Sequence, residues 1–191
     1  MRPTIPLADR PLAFVDCETT GLDPNIHEII DIAIIKEWPD GRIHEWASKI
    51  APQVPGAADP YSLWVNKYAD APEQWDGAPK FVDMAPLILA RLTDCLIVGH
   101  NINFDLNFIR AGCVKAGLGL KLLPRRVLDT YLLVYEHLAH RGLESLSLDA
   151  ACTMLGISNE GNHTALVDAR RCRVLWHALR AKPDAEKAPS N

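Results

Sequence analysis

FVDCETTGLD, the stretch from Phe14 to Asp23, decides the fold. It begins as an apolar strand, and that strand contains two acids, Asp16 and Glu18, near its end. Residues two apart on a strand project from the same face, and their backbone positions are roughly 6–7 Å apart. Like charges held this close repel and raise each other's pKa. A divalent cation between them removes the repulsion, and carboxylate oxygens suit Mg²⁺ or Mn²⁺. Two solvated acids at a strand end are the alternative for this stretch.

Two more strands follow the first one and predict an antiparallel meander. The segment HEIIDIAIIKEW (27–38) is rich in isoleucine, and GRIHEWASKI (41–50) alternates apolar and polar residues. The sequence PDG between them, Pro39 to Gly41, is a tight-turn signal. The chain therefore begins with three strands that pair in sequence order.

Strands and helices alternate after this meander. The pattern predicts strands at 95–100 and 125–130, and helices at 61–69, 80–92, 103–117, 130–139, 145–157 and 164–181. Three strands followed by this alternation indicate one α/β or α+β domain around a mixed sheet. We expect that domain to occupy residues 1–181 and the polar tail, 182–191, to be disordered.

The composition is that of a globular protein and limits the classes of partner. Hydrophobic residues make up 48% of the 191 residues and charged residues 23%. No apolar run reaches the roughly 18 residues of a membrane span, and no signal-peptide pattern is visible, so we expect no membrane partner and a cytoplasmic location. A net charge of -4 excludes the basic footprint of a protein that coats nucleic acid, but not an enzyme that grips a chain end. Five scattered cysteines without a CxxC pair predict reduced, mostly buried thiols.

A further acid, Asp105, lies in the segment GHNINFDLNFI. It follows a predicted buried strand and falls in the first turn of a predicted helix. The carboxyl end of a strand is where α/β sheets place ligand sites. An acid in that turn is also commonly a helix-capping residue, so both roles stay open. Asn101 in the same segment is expected to hold the turn at the strand end.

A histidine and an acid, His163 and Asp168, stand five residues apart in HTALVDARR. On one helix they would lie on different faces. Gly161 and Asn162 instead predict that His163 lies in a loop before the helix, from where it can fold back toward Asp168. The alternative is a surface loop histidine and a solvated helical acid.

Taken together, DCETTGLDP, HNINFD and HTALVD resemble, in this order, the three motifs of the DEDDh family of 3′–5′ exonucleases, which includes the epsilon proofreading subunit of bacterial replicative polymerase and ribonuclease T. The resemblance extends from about Leu12 to Ala178, and the second motif and RVLDTYLL are most similar to the epsilon-type branch. A lone D-x-E is weak evidence, whereas three ordered motifs on matching elements are a strong signal. The resemblance implies a ribonuclease H-like α/β fold, a mixed five-stranded sheet with three antiparallel strands first, flanked by helices.

The resemblance also implies a reaction, the hydrolysis of phosphodiester bonds at a 3′ end to release nucleoside 5′-monophosphates. Two divalent metal ions, Mg²⁺ or Mn²⁺, about 4 Å apart would clamp the scissile phosphate. By analogy, Asp16 bridges both ions, while Glu18 and Asp168 complete the nucleophile-side ion and Asp105 holds the other. His163 is then the general base, a task that suits an imidazole pKa of about 6.5.

The family pattern assigns a second set of residues to substrate binding. Leu22 stands where relatives wedge an apolar side chain against the terminal bases, with ordinary loop packing as its alternative. Phe104 either packs beneath the site or touches the sugar. Asn66 departs from the pattern, because epsilon-like members have a histidine there. The full set is Thr19, Thr20, Gly21, Leu22, Asn66, Asn101 and Phe104.

Nucleic acid 3′ ends are thus the expected partner, and single-stranded DNA is the expected substrate. An RNA or oligoribonucleotide 3′ exonuclease is one alternative. A module that binds ends or a DNA polymerase without cutting is another, and the complete set of acids disfavours it. Two groups of basic residues either steer the phosphate backbone or are solvated surface charge. They are Lys121, Arg125 and Arg126, and then Arg170, Arg171 and Arg173.

Overall fold

Five strands and six α-helices are present in the part of the chain that the computed structural model describes, residues 5–119, 123, 125–161 and 163–181. The strands are β1 (Leu12–Thr19), β2 (Ile29–Glu37), β3 (Ile43–Lys49), β4 (Leu96–Gly99) and β5 (Val127–Asp129). The helices are α1 (Pro60–Val65), α2 (Phe81–Leu92), α3 (Asn103–Lys115), α4 (Thr130–Leu138), α5 (Leu148–Met154) and α6 (Ala165–Arg180). The expected disordered tail, 182–191, lies outside the described residues, as do Lys121 and Asn162.

The five strands form one mixed sheet in the order β3-β2-β1-β4-β5. The first three pair antiparallel, whereas β4 pairs parallel with β1 and with β5. At the predicted tight turn, Gly41 has a φ of +86° and donates its N–H to the Trp38 carbonyl at 2.9 Å. Glycine adopts this left-handed conformation without the steric penalty of a side chain. The predicted meander and mixed sheet are confirmed.

The central strand β1 separates two cores because its side chains alternate between the faces of the sheet. Val15 and Cys17 are buried on one face with the apolar residues of α2 and α3. Phe14 is buried on the other face, against Ala169 and Trp176 of α6. Asp16 and Glu18 project from the same face of the sheet as Phe14, because they lie two and four residues after it on the strand. The two acids of β1 therefore face α6, whereas Cys17 belongs to the core, as predicted.

The predicted helices are confirmed, and two of them are shorter than predicted. The first, expected at 61–69, ends at Val65 because Asn66 leaves the helix and donates its side-chain amide to the Thr19 carbonyl at 2.9 Å. The next residue, Lys67, has a φ of +62°. A tertiary hydrogen bond has replaced a further turn of helix here.

The helix predicted at 145–157 is also shortened, to Leu148–Met154. Ser147 caps its N-terminus by accepting the Ala150 N–H at 3.3 Å, and Gly156 with a φ of +69° follows its end. Serine caps and left-handed glycines are common helix boundaries. The local residues therefore explain both ends.

All five cysteines are buried and unpaired, which agrees with the predicted thiols. Among the described residues, no helix combines the length and the apolar character that a membrane crossing requires.

We expect the core on the α2 side of the sheet to carry much of the stability. Ile34 in β2 is 1% exposed, so Ile34→Ala leaves a cavity that lowers the free energy of unfolding by about 2–5 kcal/mol. The melting temperature should fall by roughly 5–15 °C in thermal unfolding followed by circular dichroism. Ile43→Ala on the edge strand β3 is the matched control. Because Ile43 is 47% exposed, this variant should lower the melting temperature only slightly. Similar losses for both variants would contradict this assignment of the core.

Candidate metal centre

Three carboxylates converge at the end of β1. One oxygen each of Asp16, Glu18 and Asp168 lies within 4.8 Å of the others. The strand period places the first two on the face that α6 covers, and Asp168 stands in the first turn of that helix. A cluster of carboxylate oxygens is the donor set that Mg²⁺ and Mn²⁺ prefer. The fold thus brings Asp168 to Asp16 and Glu18, although it is about 150 positions away from them in the chain.

The fourth predicted acid, Asp105, approaches the cluster from the other face of the sheet. It lies in the first turn of α3, which begins just after β4, and it is 4% exposed. The backbone and thiol of Cys17 donate hydrogen bonds to its carboxylate. Among neighbouring charges, that of Asp105 contributes most to raising the pKa of Asp16. Asp105 is thus beside Asp16 but outside the group of three.

Burial and mutual repulsion raise the pKa of Asp16, Glu18 and Asp105. Burial first, and then the charge of Asp105, raise the pKa of Asp16 well above its ordinary value. Burial, followed by the charge of Asp168, raises the pKa of Glu18 to about 8. Burial also raises the pKa of Asp105 to about 8, against hydrogen bonds that lower it. Since a bound cation would relieve both effects, the residues present fit a divalent metal.

Two donors fix the orientation of the Asp168 carboxylate. One oxygen accepts the backbone N–H of His163 at 2.9 Å, and the other accepts the guanidinium of Arg171 at 2.6 Å. Arg171 is only 4% exposed, and it also binds Asp149 at 2.6 Å and the side-chain oxygen of Asn159. A buried cation with several carboxylate and amide partners holds this acid in one position.

The prediction that Arg171 is a surface charge or a phosphate-steering residue was therefore wrong. Its neighbours are also ion-paired, Arg170 with Glu45 and Arg173 with Glu37. The helical spacing could have indicated that Arg171 is buried. Asp168, Arg171 and Leu175 lie at i, i+3 and i+7, which places them on one face of the helix.

The backbone of His163 lies beside this cluster, because its N–H binds the Asp168 carboxylate. His163 precedes α6 and has a φ of +63°, so it is outside the helix, in the position that the sequence predicts. Its backbone bond to Asp168 bends the chain back toward the carboxylates. The half-buried side chain borders a cleft that it shares with α1.

The loop after β1 is fixed by its own hydrogen bonds. The hydroxyl of Thr19 donates to the Gly21 carbonyl at 2.7 Å, and the hydroxyl of Thr20 accepts the Glu28 N–H at 2.9 Å. A Cβ at Gly21 would come within 2.4 Å of the His27 ring, so any other residue would have to displace that ring. Leu22 is 77% exposed at the tip. The loop therefore presents the apolar side chain of Leu22 on a backbone that these hydrogen bonds hold.

The remaining predicted substrate-binding residues differ in exposure. Asn66 is 4% exposed and donates its amide to the Thr19 carbonyl, and its contact with substrate stays a prediction. Asn101 is exposed, has a φ of +60° and donates its N–H to Asp129 at 3.0 Å. Phe104 is half-buried and packs at a tilt against Phe108, with ring centroids 4.9 Å apart. Asn101 and Phe104 remain able to face a ligand.

Comparison with known proteins gives a family and a fold. The RNase T exonuclease family model matches residues 13–173. The PolC-type DNA polymerase III of Thermotoga maritima is 32% identical over 167 residues, which are 85% of this chain and 11% of that protein. The 3′-5′ exonuclease DinG of Staphylococcus epidermidis is 35% identical over 118 residues, 62% of this chain and 12% of that protein. The chain therefore spans only about a tenth of the length of these relatives.

A solved structure shares the architecture of the sheet and its helices. Exonuclease I of E. coli, solved in complex with a dT13 oligonucleotide, matches with a TM-score of 0.78 and 15% identity. The match covers 90% of this chain and 41% of that one. The predicted ribonuclease H-like fold is confirmed.

We expect the metal-free protein to lose stability between pH 5 and pH 8. Glu18 and Asp105 have a pKa of about 8 in the folded chain, against ordinary values of 4.5 and 3.8. The folded state binds more protons than the unfolded state in this range, so stability present at low pH is lost as the pH rises toward 8. Calorimetry in EDTA should show the melting temperature falling by roughly 5–10 °C.

Asp16→Asn is the matched variant for this experiment, because it removes one charge at nearly constant size. Its melting temperature should fall less over the same range. At pH 8, Mg²⁺ or Mn²⁺ should raise the melting temperature of the wild type and not that of the variant. If the melting temperatures of the two proteins changed equally with pH, and equally on adding metal, the carboxylate cluster would not be the cause of the pH dependence.

Proposed function

The chain belongs to the RNase T exonuclease family, and on that premise we propose that it is a metal-dependent 3′–5′ exonuclease which releases nucleoside 5′-monophosphates from single-stranded DNA. The observation that carries the proposal is the convergence of Asp16, Glu18 and Asp168 within 4.8 Å. Asp105 beside them and His163 at their edge complete the predicted set. The DNA polymerase and 3′-5′ exonuclease relatives, and the DNA-bound neighbour, support DNA as the substrate.

The oxygens of the cluster define two cation positions in this proposal. Asp16, Glu18 and Asp168 would hold one ion, and Asp16 with Asp105 would hold the second, each ion being Mg²⁺ or Mn²⁺. Such ions, when bound, supply positive charge to the scissile phosphate and to the oxygens that enter and leave. The raised pKa values of Glu18 and Asp105 support this arrangement, since a cation would stabilise their charged forms.

The proton of the attacking water passes to His163 in the proposed reaction. Water attacks phosphorus, the bond to the 3′ oxygen of the preceding nucleotide breaks, and the imidazole accepts the proton. The backbone N–H of His163 binds Asp168, and Arg171 holds the other oxygen of that acid. These bonds hold the backbone of His163 next to the carboxylate of Asp168, and the ring would reach the water from there.

The loop after β1 is the proposed contact for the terminal nucleotide. Leu22 would pack against the terminal base, since it is exposed on a loop that Thr19 and Thr20 make rigid. Asn101 and Phe104 would border the same nucleotide. We assign Asn66 the role of holding the loop from behind.

A DNA polymerase is the protein partner that the relatives favour. In the PolC-type proteins the matching segment is about 11% of a polymerase chain. We propose the same association for this chain, with the exonuclease site facing the 3′ end that the polymerase extends.

We expect end-labelled single-stranded DNA to be shortened from its 3′ end with Mg²⁺ or Mn²⁺, and to stay intact with EDTA. Asp16→Ala should reduce mononucleotide release about a thousandfold or more, because both cation positions use this residue. Asp40→Ala, which removes an exposed acid from the β2–β3 turn, is the control that keeps activity. Cleavage in EDTA or by Asp16→Ala would contradict the mechanism, and faster cleavage of a matched RNA would contradict the substrate.

The substitution His163→Asn tests the role of the histidine separately from that of the metal ligands. Asparagine tolerates the left-handed backbone at this position, and the backbone bond to Asp168 is retained. We expect kcat to fall about 10²–10⁴-fold, the usual contribution of a general base. The rise in melting temperature on adding Mn²⁺ should persist. Loss of that rise would instead make His163 part of the metal site.

A further inference from the structure

Helix α1 carries two exposed aromatic rings next to the candidate site. Tyr61 is 70% exposed and Trp64 is 64% exposed. Their ring centroids are 5.9 Å apart and the ring planes differ by 35°. Because these side chains contribute so little to the core, their size and apolar character point to a ligand surface.

The two rings border a cleft of about 400 Å³ that reaches the proposed general base. The residues lining it are Tyr61, Trp64, Val65, Lys67, Asp70 and His163. Lys67 directly follows Asn66, whose amide binds the carbonyl of Thr19, the residue after Glu18, so this wall of the cleft lies close to the carboxylates. A ligand that extends from the cluster past His163 therefore meets the aromatic rings.

Hydrogen bonds fix α1 relative to the carboxylates. The N–H of Asp59, immediately before the helix, donates to the Thr20 carbonyl at 2.7 Å. The amide of Asn66, immediately after it, donates to the Thr19 carbonyl at 2.9 Å. Thr19 and Thr20 directly follow Glu18. The rings are thus anchored at both ends of their helix to the strand that carries two of the ligands.

We propose that Tyr61 and Trp64 form a stacking platform for an unpaired nucleobase of the substrate strand, upstream of the nucleotide that is removed. The inference rests on the proposed exonuclease function and adds a binding site to it. Base–aromatic stacking tolerates any sequence because every base has a π-face. A base in a duplex already stacks and pairs, so this platform selects single-stranded 3′ ends. Lys67, in the same cleft, carries the charge that suits the adjoining phosphate.

The experiment compares Trp64→Leu and Tyr61→Leu with the control Tyr135→Leu. Tyr135 is 62% exposed on α4 and lies outside the cleft. Leucine keeps apolar bulk and removes the flat ring. For single-stranded DNA we expect each cleft variant to raise KM between about fivefold and about a hundredfold, with kcat and melting temperature unchanged. The control should match the wild type, and Trp64→Phe should retain most of the affinity.

A second substrate tests whether the contact is a base. In an oligonucleotide whose only base is the 3′-terminal thymine, and which is abasic elsewhere, the KM of Trp64→Leu should equal that of the wild type. An unchanged KM of the cleft variants on ordinary DNA, or the same defect on the abasic substrate, would overturn the platform.

The two proposals fail in different ways. If the wild type cuts DNA and the cleft variants keep its KM, only the platform is wrong. If the wild type cuts nothing, the exonuclease proposal is wrong, and fluorescence anisotropy with labelled single-stranded DNA still tests the platform. In that case, equal dissociation constants for the wild type and Trp64→Leu would overturn it.

Discussion

Repulsion between crowded carboxylates at the end of β1 is the constraint on which the rest of the site depends. Asp16 and Glu18 cannot move apart, because the pairing of β1 with β2 fixes both backbone positions. Asp105 and Asp168 close in from the two faces of the sheet. Crowding of acids at this spacing raises their pKa and favours protonation, whereas a compensating cation favours their charged forms. The fold therefore stores an unfavourable arrangement that a divalent metal would relieve.

The surrounding residues hold that arrangement in place. Arg171 lies behind Asp168 and ties it to Asp149 on α5, while Cys17 donates to Asp105 from the opposite core. These contacts place the carboxylates without neutralising all of them. An entirely compensated set of acids would have little affinity for a cation, and a set without supports would spread apart. The observed balance suits a site that must be preformed and still electronegative.

Strand and helix periods made the central part of this site predictable. The D-x-E spacing placed Asp16 and Glu18 on one face, and Gly161 before His163 correctly indicated a loop. Contacts between residues far apart in the chain could not be predicted from these periods, which describe only neighbouring residues. The burial of Asn66 depends on a bond to a carbonyl 47 positions earlier, and that of Arg171 on an acid 22 positions earlier. Charge alone suggested that Arg171 lies at the surface, although its helical spacing matched the buried face.

The charge of the protein explains why a nuclease of this kind would use aromatic rings. A net charge of -4 and an acidic cluster repel the phosphates of a nucleic acid strand. Arg170, Arg171 and Arg173 bind acids of the protein itself, which reduces their attraction for a backbone. Stacking on Tyr61 and Trp64 is independent of net charge and little screened by salt. Such a surface would hold the strand by its bases, while bound cations would supply the positive charge only at the scissile phosphate.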